Sequence, residues 1–224
     1  EPSLAPSPEP SPEPGATIVA LPSGPPLSDL PTAIRARTSN GPQFCGQGVT
    51  AQALAAVLVE AAEAMTRLRQ ACGAEDLPSP GLGVVVQRVA GVAPGALRRD
   101  ARTGQLVLVR SGALGLELQA CSNLDNINLD LAAFTVHVID ALDFRRSPRG
   151  NRRYRIQQML VGAALDGVML ACAALGLGSH PMLGFDAAGI DALYHLDGTG
   201  LGSQAQICVG VARPGHWLEG DLGP

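Results

Sequence analysis

Apolar positions recur at helical spacing in two long stretches of the chain. After Thr50, which can act as an N-cap, apolar residues follow at steps of three and four until Gly73 supplies a stop. These residues are Leu54, Leu58, Ala61, Met65 and Leu68. Residues 154–175 are apolar on almost every side, which predicts a long helix buried in the fold or in a subunit interface. A shorter helix is predicted to begin near 27–29 and to end at Arg37.

Four other segments have the pattern of strands. Residues 83–89 and 105–110 are predicted to form a hairpin-like pair joined by a turn-rich stretch, and residues 132–140 alternate like a half-buried strand. Residues 206–212 are almost continuously apolar, as in a buried strand. Helices and strands in this order predict an α+β domain layered around one sheet and a central hydrophobic helix.

The first residues have a different composition from the rest. Residues 1–14 contain six prolines and repeat the tetrapeptide SPEP. Such a segment favours extended polyproline II and cannot build a core. We therefore interpret residues 1–15 as a tail or an inter-domain linker, and residues 16–224 as one domain.

Composition excludes several classes of function. All sixteen basic residues are arginine and the net charge is −4, so Schiff-base chemistry lacks a residue and nucleic-acid binding is not expected. No signal-peptide pattern and no uninterrupted apolar run of membrane-spanning length is evident, which predicts a cytoplasmic protein without a membrane partner. Five widely spaced cysteines indicate buried apolar residues rather than disulfides or a metal site. P-loop, GxGxxG, HExxH and Ser-His-Asp patterns are missing from the sequence.

Two segments carry groups that could bind a ligand. Near the end of the first helix, Arg35, Arg37, Ser39 and Asn40 combine guanidinium, hydroxyl and amide donors, which are the groups that hold a phosphate. The alternative is an ordinary solvated helix end. Residues 176–186 combine glycines with a proline, which predicts a loop whose backbone N–H groups face a planar ligand, or else a helix cap followed by a turn.

Arginines form two further candidate sites. Six of them stand at the start of the long helix, where cations oppose the helix dipole and call for a phosphate, acidic side chains or an acidic peptide. These are Arg145, Arg146, Arg149, Arg152, Arg153 and Arg155. A solvated surface loop is the alternative. Arg213 follows the last strand, where it could reach a bound anion.

These segments together resemble the nitroreductase-like flavoprotein superfamily. Within it, the chain is most similar to the SagB-type dehydrogenases that convert thiazolines and oxazolines in ribosomal peptides to aromatic rings. Residues 21–44, 84–100 and 151–186 carry the resemblance, and in the last block the long helix, the ALGLG cap and P-x-x-G-F-D keep their order. The resemblance implies an α+β sandwich with a central antiparallel-rich sheet, a long buried central helix, a homodimer, and FMN at the subunit interface.

The resemblance also assigns roles to individual residues. It implies that Arg35, Arg37 and Ser39 bind the FMN phosphate and ribityl chain, with Arg213 also at the phosphate and Asn40 near the isoalloxazine edge. The backbone N–H groups that face flavin N5 and O4 would come from a loop formed by Pro181, Met182, Leu183 and Gly184.

Two features depart from the family pattern. The Lys-Tyr pair of the microcin-type enzymes falls on Pro148 and Arg149, and the Ser-Gly-Gly segment is shortened to residues 77–81. Tyr154 is then the candidate catalytic base, with Arg149 or Arg153 as the cation that would lower its pKa. Short, lysine-free versions are similar to dehydrogenases of thiopeptide pathways, sometimes fused to or associated with another biosynthetic enzyme.

The function implied is FMN-dependent oxidation of thiazoline or oxazoline rings in a precursor peptide to thiazole or oxazole. An alternative is an NAD(P)H-dependent nitro- or quinone reductase of the same fold. A third is a non-catalytic scaffold subunit of a peptide-modification complex, which the missing Lys-Tyr pair would suit.

Overall fold

The computed structural model describes residues 16–27, 29–37, 43–123, 126–143 and 150–213. Within them the chain forms five α-helices: α1 (Leu30–Ala36), α2 (Ala51–Ala71), α3 (Gly115–Ala120), α4 (Asn151–Ala174) and α5 (Ala187–Leu193). The strands are β1 (Ile18–Val19), β2 (Val49–Thr50), β3 (Gly81–Val86), β4 (Val89–Ala90), β5 (Gly95–Arg99), β6 (Leu106–Ser111), β7 (Phe134–Ala141), β8 (Gly178–Met182) and β9 (Leu201–Gly210).

Seven of the strands form one sheet in the order β1-β6-β5-β3-β7-β9-β8. Every neighbouring pair in it is antiparallel, which confirms the predicted antiparallel-rich sheet. The two-residue strands β2 and β4 form a separate parallel pair. Strand β8 is therefore at one edge of the large sheet, hydrogen-bonded to β9 on one side only.

Helical layers cover both faces of the sheet. On one face, α2 and α4 pack against strand residues such as Val84, Val136 and Ile207. On the other, α3 and α5 pack against Val85 and Ile139. The predicted α+β sandwich with a buried central helix is thus confirmed.

The helices form for the reasons that the sequence indicates. The Thr50 hydroxyl accepts from the N–H of Ala53 at the start of α2, and Gly73 has φ +56° just after its end. Asp29 caps α1 by accepting from the N–H of Thr32, and Pro31 is in the first turn, where a missing N–H costs nothing. Both helix predictions are confirmed to within a few residues.

Helix α4 packs closely on α2 through a glycine. A methyl group added at Gly167 would lie 2.9 Å from the carbonyl oxygen of Glu60 and 3.1 Å from Ala61 Cα. By length and composition α4 is apolar enough to cross a membrane, but 56% of its most apolar window is buried inside the fold. Its burial against α2 and the sheet accounts for its hydrophobicity without a membrane.

Three strand predictions need correction. The segments 83–89 and 105–110 do not pair, because β5 lies between β3 and β6 in the sheet. Gly95 begins β5 rather than a turn, and a methyl group there would lie 2.5 Å from the carbonyl oxygen of Arg110. Strand β7 is buried on both faces rather than one, because it is central and helices cover each side. Strand β9 begins at Leu201, five residues before the apolar run, because its first residues pair with the end of β7.

Burial was predicted for all five cysteines and is confirmed for two of them. All five are free, with Cys172 and Cys208 buried and the other three half-buried.

Candidate functional site

Exposed arginines gather at the end of the sheet where β8 begins. Arg37, the C-cap residue of α1, has Nη1 4.0 Å from the Sδ of Met169, in the last turns of α4. Strand β8 starts four residues after α4 ends, and Gly178 pairs with Gly210 at the end of β9. Arg213 follows β9, and its N–H donates to the carbonyl of Gln43 at 3.1 Å. Arg213 therefore follows the strand end that pairs with the start of β8, and Arg37 contacts the last turns of the helix that leads into β8.

The guanidinium groups of these arginines are accessible to a ligand. Arg35, Arg37 and Arg213 are all exposed, and within the described part of the chain no carboxylate pairs with any of them. Unpaired guanidinium groups are suited to phosphate, which they can bind through two hydrogen bonds each. Ser39 and Asn40, which were predicted to share this site, lie outside the described residues.

The segment 176–186 is not a loop throughout, which corrects the sequence prediction. Residues 178–182 form β8, and Pro181 is tolerated there because β8 is an edge strand. Pro181 has no N–H, so its pair with Ile207 is of the non-hydrogen-bonded type. The next pair, Met182 with Gln206, is then hydrogen-bonded, and the N–H of Met182 is used within the sheet.

Two of the four residues predicted to present N–H groups at this segment can therefore do so. Leu183 and Gly184 follow the strand, and no acceptor among the described residues takes their N–H groups. Leu183 is 75% exposed, and a methyl group added at Gly184 would meet nothing within 4 Å. The carbonyl of Gly184 accepts from the N–H of Asn123 at 3.2 Å, which ties the segment to the end of α3.

The structure describes only part of the predicted cluster of six arginines. Arg145, Arg146 and Arg149 lie outside the described residues. Arg153 is buried, and its Nη2 lies 3.2 Å from Oδ1 of Asp140 on β7. An acidic side chain thus offsets this charge, which is one of the three possibilities that the sequence left open.

Tyr154, the predicted base, is in the first turn of α4 and is 44% exposed. It precedes Met169 by fifteen residues, or about 22 Å along the helix axis. It therefore lies far from the arginines at the other end of α4. Because Arg153 is bonded to Asp140, its charge is committed inside the fold, which leaves Arg149 as the cation that was predicted for Tyr154.

The sequence analysis did not predict a buried network of hydrogen-bonded side chains that lies near β8. The hydroxyl of Tyr194 is 2.7 Å from Nδ1 of His137, and Nε2 of His137 is 3.1 Å from Oε1 of Gln206. Burial lowers the pKa of His137 to about 4 and raises that of Tyr194 well above its ordinary value, so both are neutral near pH 7. A histidine inside the apolar segment 132–140 was the signal in the sequence, because a buried imidazole needs partners.

Comparison with known proteins agrees with the fold. Residues 34–211 match the model of the Nitroreductase family. The chain therefore belongs to this family, whose members bind FMN. No curated protein sequence matches the chain.

Solved structures show the same fold at low sequence identity. A nitroreductase-family protein of Anabaena variabilis aligns with 88% of this chain at TM-score 0.74 and 19% identity. This chain covers 42% of that longer protein. The E. coli microcin synthetase McbBCD complex with truncated pro-MccB17 bound aligns at TM-score 0.60 and 14% identity, covering 79% of this chain and 70% of that one. A protein of Desulfovibrio desulfuricans in complex with FMN aligns at TM-score 0.53 and 18% identity, covering 87% and 93%.

The buried ion pair generates a stability prediction. Arg153→Met leaves the buried Asp140 carboxylate without its cation, and we expect the free energy of unfolding to fall by about 3–5 kcal/mol. Arg152→Met, at the exposed neighbouring position, should change it by less than about 0.5 kcal/mol. Urea denaturation of both variants measures the difference.

The pH dependence of that loss adds a second criterion. Burial raises the pKa of Asp140 above its ordinary value, and Arg153 opposes this rise. Without Arg153 the carboxyl should take up a proton more readily, so the deficit of Arg153→Met should shrink as the pH falls. Equal losses for both variants, at every pH, would contradict the assignment of a buried pair.

Proposed function

We propose that this chain is an FMN-dependent oxidoreductase that oxidises thiazoline or oxazoline rings in a ribosomal precursor peptide to thiazole or oxazole. The observation that carries the proposal is the arrangement along β8. Guanidinium groups with no carboxylate partner among the described residues stand near the start of the strand, and backbone N–H groups with no acceptor among those residues follow its end. FMN has the complementary groups in the same order along its length, with an anionic phosphate at one end and a planar ring rich in acceptors at the other.

The donor set fits that cofactor. Arg37 and Arg213, with Arg35 and Ser39, would hold the phosphate and the ribityl chain, since exposed guanidinium groups favour a dianion, and Asn40 would lie near the isoalloxazine edge. Leu183 and Gly184 would donate their N–H groups to the acceptor atoms at the ring edge. The open space at Gly184 lets a flat ligand approach the backbone closely. Bound FMN would supply the two-electron acceptor that ring oxidation needs.

The remaining task for the protein is to take a proton from the azoline ring. Forming the aromatic ring removes one proton from the α-carbon and one hydride, which carries both electrons, from the neighbouring ring carbon. Tyr154 is our candidate for the base, and Arg149 is the arginine that we propose acts with it. Its exposure leaves it open to a peptide substrate.

Peptide oxidation is favoured over other flavin chemistry by two observations. The residues around Tyr154 resemble the azoline dehydrogenases, and the fold is similar to the microcin synthetase complex solved with truncated pro-MccB17. A nitro- or quinone reductase and a flavin-free scaffold subunit are the alternatives, and each has a distinct outcome in the experiments below.

Binding of FMN is the first expected result. The purified chain should show flavin absorbance, and Arg37→Ala or Arg213→Ala should each weaken FMN binding about 10- to 100-fold, because each removes a charge-assisted bond to phosphate. Arg102→Ala, an exposed arginine in the β5–β6 turn, is the matched control and should leave the Kd unchanged. Fluorescence quenching of FMN measures all three.

Gly184→Ala tests the other end of the site in the same titration. Nothing in the protein obstructs the added methyl group and the backbone is not left-handed, so stability should be unaffected while FMN binding weakens. A colourless protein that takes up no FMN would overturn the flavoenzyme and favour the scaffold.

The substrate is tested by the reductant that bleaches the flavin. Under anaerobic conditions a thiazoline-containing peptide should bleach the flavin absorbance at 450 nm within a single turnover, and mass spectrometry should show a loss of about 2 Da per ring as two hydrogens leave. Tyr154→Phe should slow this bleaching by about 100-fold or more while leaving FMN binding intact. Rapid bleaching by NADH or NADPH, with none by the peptide, would instead identify a nitro- or quinone reductase.

We further propose that the protein is a homodimer formed through α4. The exposed stripe of this helix consists of Arg155, Met159, Gly162 and Asp166 at steps of four, three and four residues. Met159 is 48% exposed in the single chain, and Gly162 leaves open space for a close approach. A second copy packed on this stripe would cover both.

The dimer is tested by mass in solution. Native mass spectrometry should give twice the 23.0 kDa of one chain. Met159→Glu should shift the protein towards monomer, because it places a charge in the interface. Leu116→Glu, at a position 75% exposed on α3, is the control and should leave the mass unchanged. A wild-type monomer would contradict the proposal.

A further inference from the structure

One row of residues crosses the sheet at the level where β8 ends. Gly83 of β3 pairs with His137 of β7, His137 pairs with Gln206 of β9, and Gln206 pairs with Met182 of β8. Residues directly opposite one another in a sheet have their side chains on the same face. Three polar or sulfur-containing side chains therefore lie in line on the face that α3 and α5 cover.

Tyr194 completes this row from above. It follows α5, and its ring lies directly on Gly83, where a methyl group would be 2.7 Å from Cζ. Only glycine leaves room for the ring at this point of β3. The hydroxyl of Tyr194 then reaches Nδ1 of His137 at 2.7 Å, with both side chains fully or almost fully buried.

The sulfur of Met182, at the β8 end of the row, determines which atom donates in each of the three hydrogen bonds. The Sδ of Met182 can only accept, so Nε2 of Gln206, 3.8 Å away, donates to it. Oε1 of Gln206 then accepts from Nε2 of His137, and Nδ1 of His137 accepts from the Tyr194 hydroxyl. Each side chain therefore donates to the next in one direction, from Tyr194 after α5 to Met182 on the edge strand β8. This arrangement requires the imidazole of His137 to be neutral.

The end of this chain is next to the proposed cofactor contacts. Met182 is the last residue of β8, and Leu183 and Gly184 come immediately after it. Among the described residues, β8 has main-chain hydrogen bonds to β9 alone, and just beyond it the carbonyl of Gly184 accepts from the N–H of Asn123. The side chain of Met182 adds a contact at the end of the strand itself. A buried hydrogen-bonded network is suited to this, because low polarity around it strengthens each bond and penalises any misplaced partner.

We propose that Tyr194, His137 and Gln206 are positioning residues that hold Met182 and so set where Leu183 and Gly184 present their N–H groups to the flavin ring. This inference rests on the proposed function, since it assigns the network a role in the same cofactor site. These three side chains are not proposed to contact the flavin ring. They act on the flavin site by holding the end of β8.

Two conservative variants test the network. Met182→Leu keeps the volume and removes the sulfur acceptor, and Tyr194→Phe keeps the ring and removes the first donor. Thr135→Val is the matched control. Thr135 is buried on β7 two residues before His137, on the same face, and its hydroxyl has no partner among the described residues. Thermal unfolding of each variant comes first, and if one variant does not fold, the other decides.

Three readouts follow on the folded variants. Both network variants should weaken FMN binding about fivefold or more and shift the midpoint potential of the bound flavin, whereas Thr135→Val should do neither. In the FMN-free protein, amide hydrogen exchange of the peptide covering 178–185 should be faster in both network variants than in the wild type or Thr135→Val. A role in general stability alone would lower the unfolding temperature without these local changes.

The outcomes separate this inference from the proposed function. The inference is overturned if FMN binding, the flavin midpoint potential and amide hydrogen exchange in both network variants match those of Thr135→Val. If the wild type takes up no FMN, the proposed function falls, and the exchange measurement still decides whether the network holds the end of β8.

Discussion

The structure depends on the close packing of α4 between α2 and the sheet. At Gly167 the two helices approach so closely that a methyl group would lie 2.9 Å from the backbone of α2. The apolar side of α4 is buried against α2 and the sheet, and the last turns of the helix fix the arginine end of the candidate site. Met169 near its end supports Arg37, and the turn after it starts β8.

The candidate site follows from where the sheet ends. Five of the seven strands have a partner on each side, and the two edge strands are the two-residue β1 and β8. Pro181 blocks one donor on that edge, and the pairing of Met182 uses another. Leu183 and Gly184, the two residues after the strand, keep N–H groups that no acceptor among the described residues takes, next to the open space at Gly184.

The arginines show how burial divides one residue type between structure and function. Arg153 is buried because Asp140 faces it across α4 and β7, and this pair holds the start of the helix to the sheet. Arg37 and Arg213 are exposed without a carboxylate partner in the described ranges, so their charge is available for a ligand. Nothing in the local sequence distinguishes these two uses. The distinction arises from which elements pack against each side chain.

Local patterns by themselves determined much of this protein. The N-cap at Thr50, the stop at Gly73, the spacing of Leu54, Leu58 and Met65, and the apolar length of α4 predicted both major helices, because helix signals act within a few residues of one another. They also predicted an α+β domain layered around one sheet, and the resemblance carried by residues 21–44, 84–100 and 151–186 indicated the family and its sandwich. Tertiary structure alone decided the pairing of β5 between β3 and β6, the strand formed by residues 178–182, and the burial of Arg153. It also brought His137, Tyr194 and Gln206 together, although 57 and 69 residues separate the last two from the histidine. Strand pairing and buried polar contacts join residues far apart in the chain, so no local pattern specifies them, and they form only when the whole sheet closes against its helices.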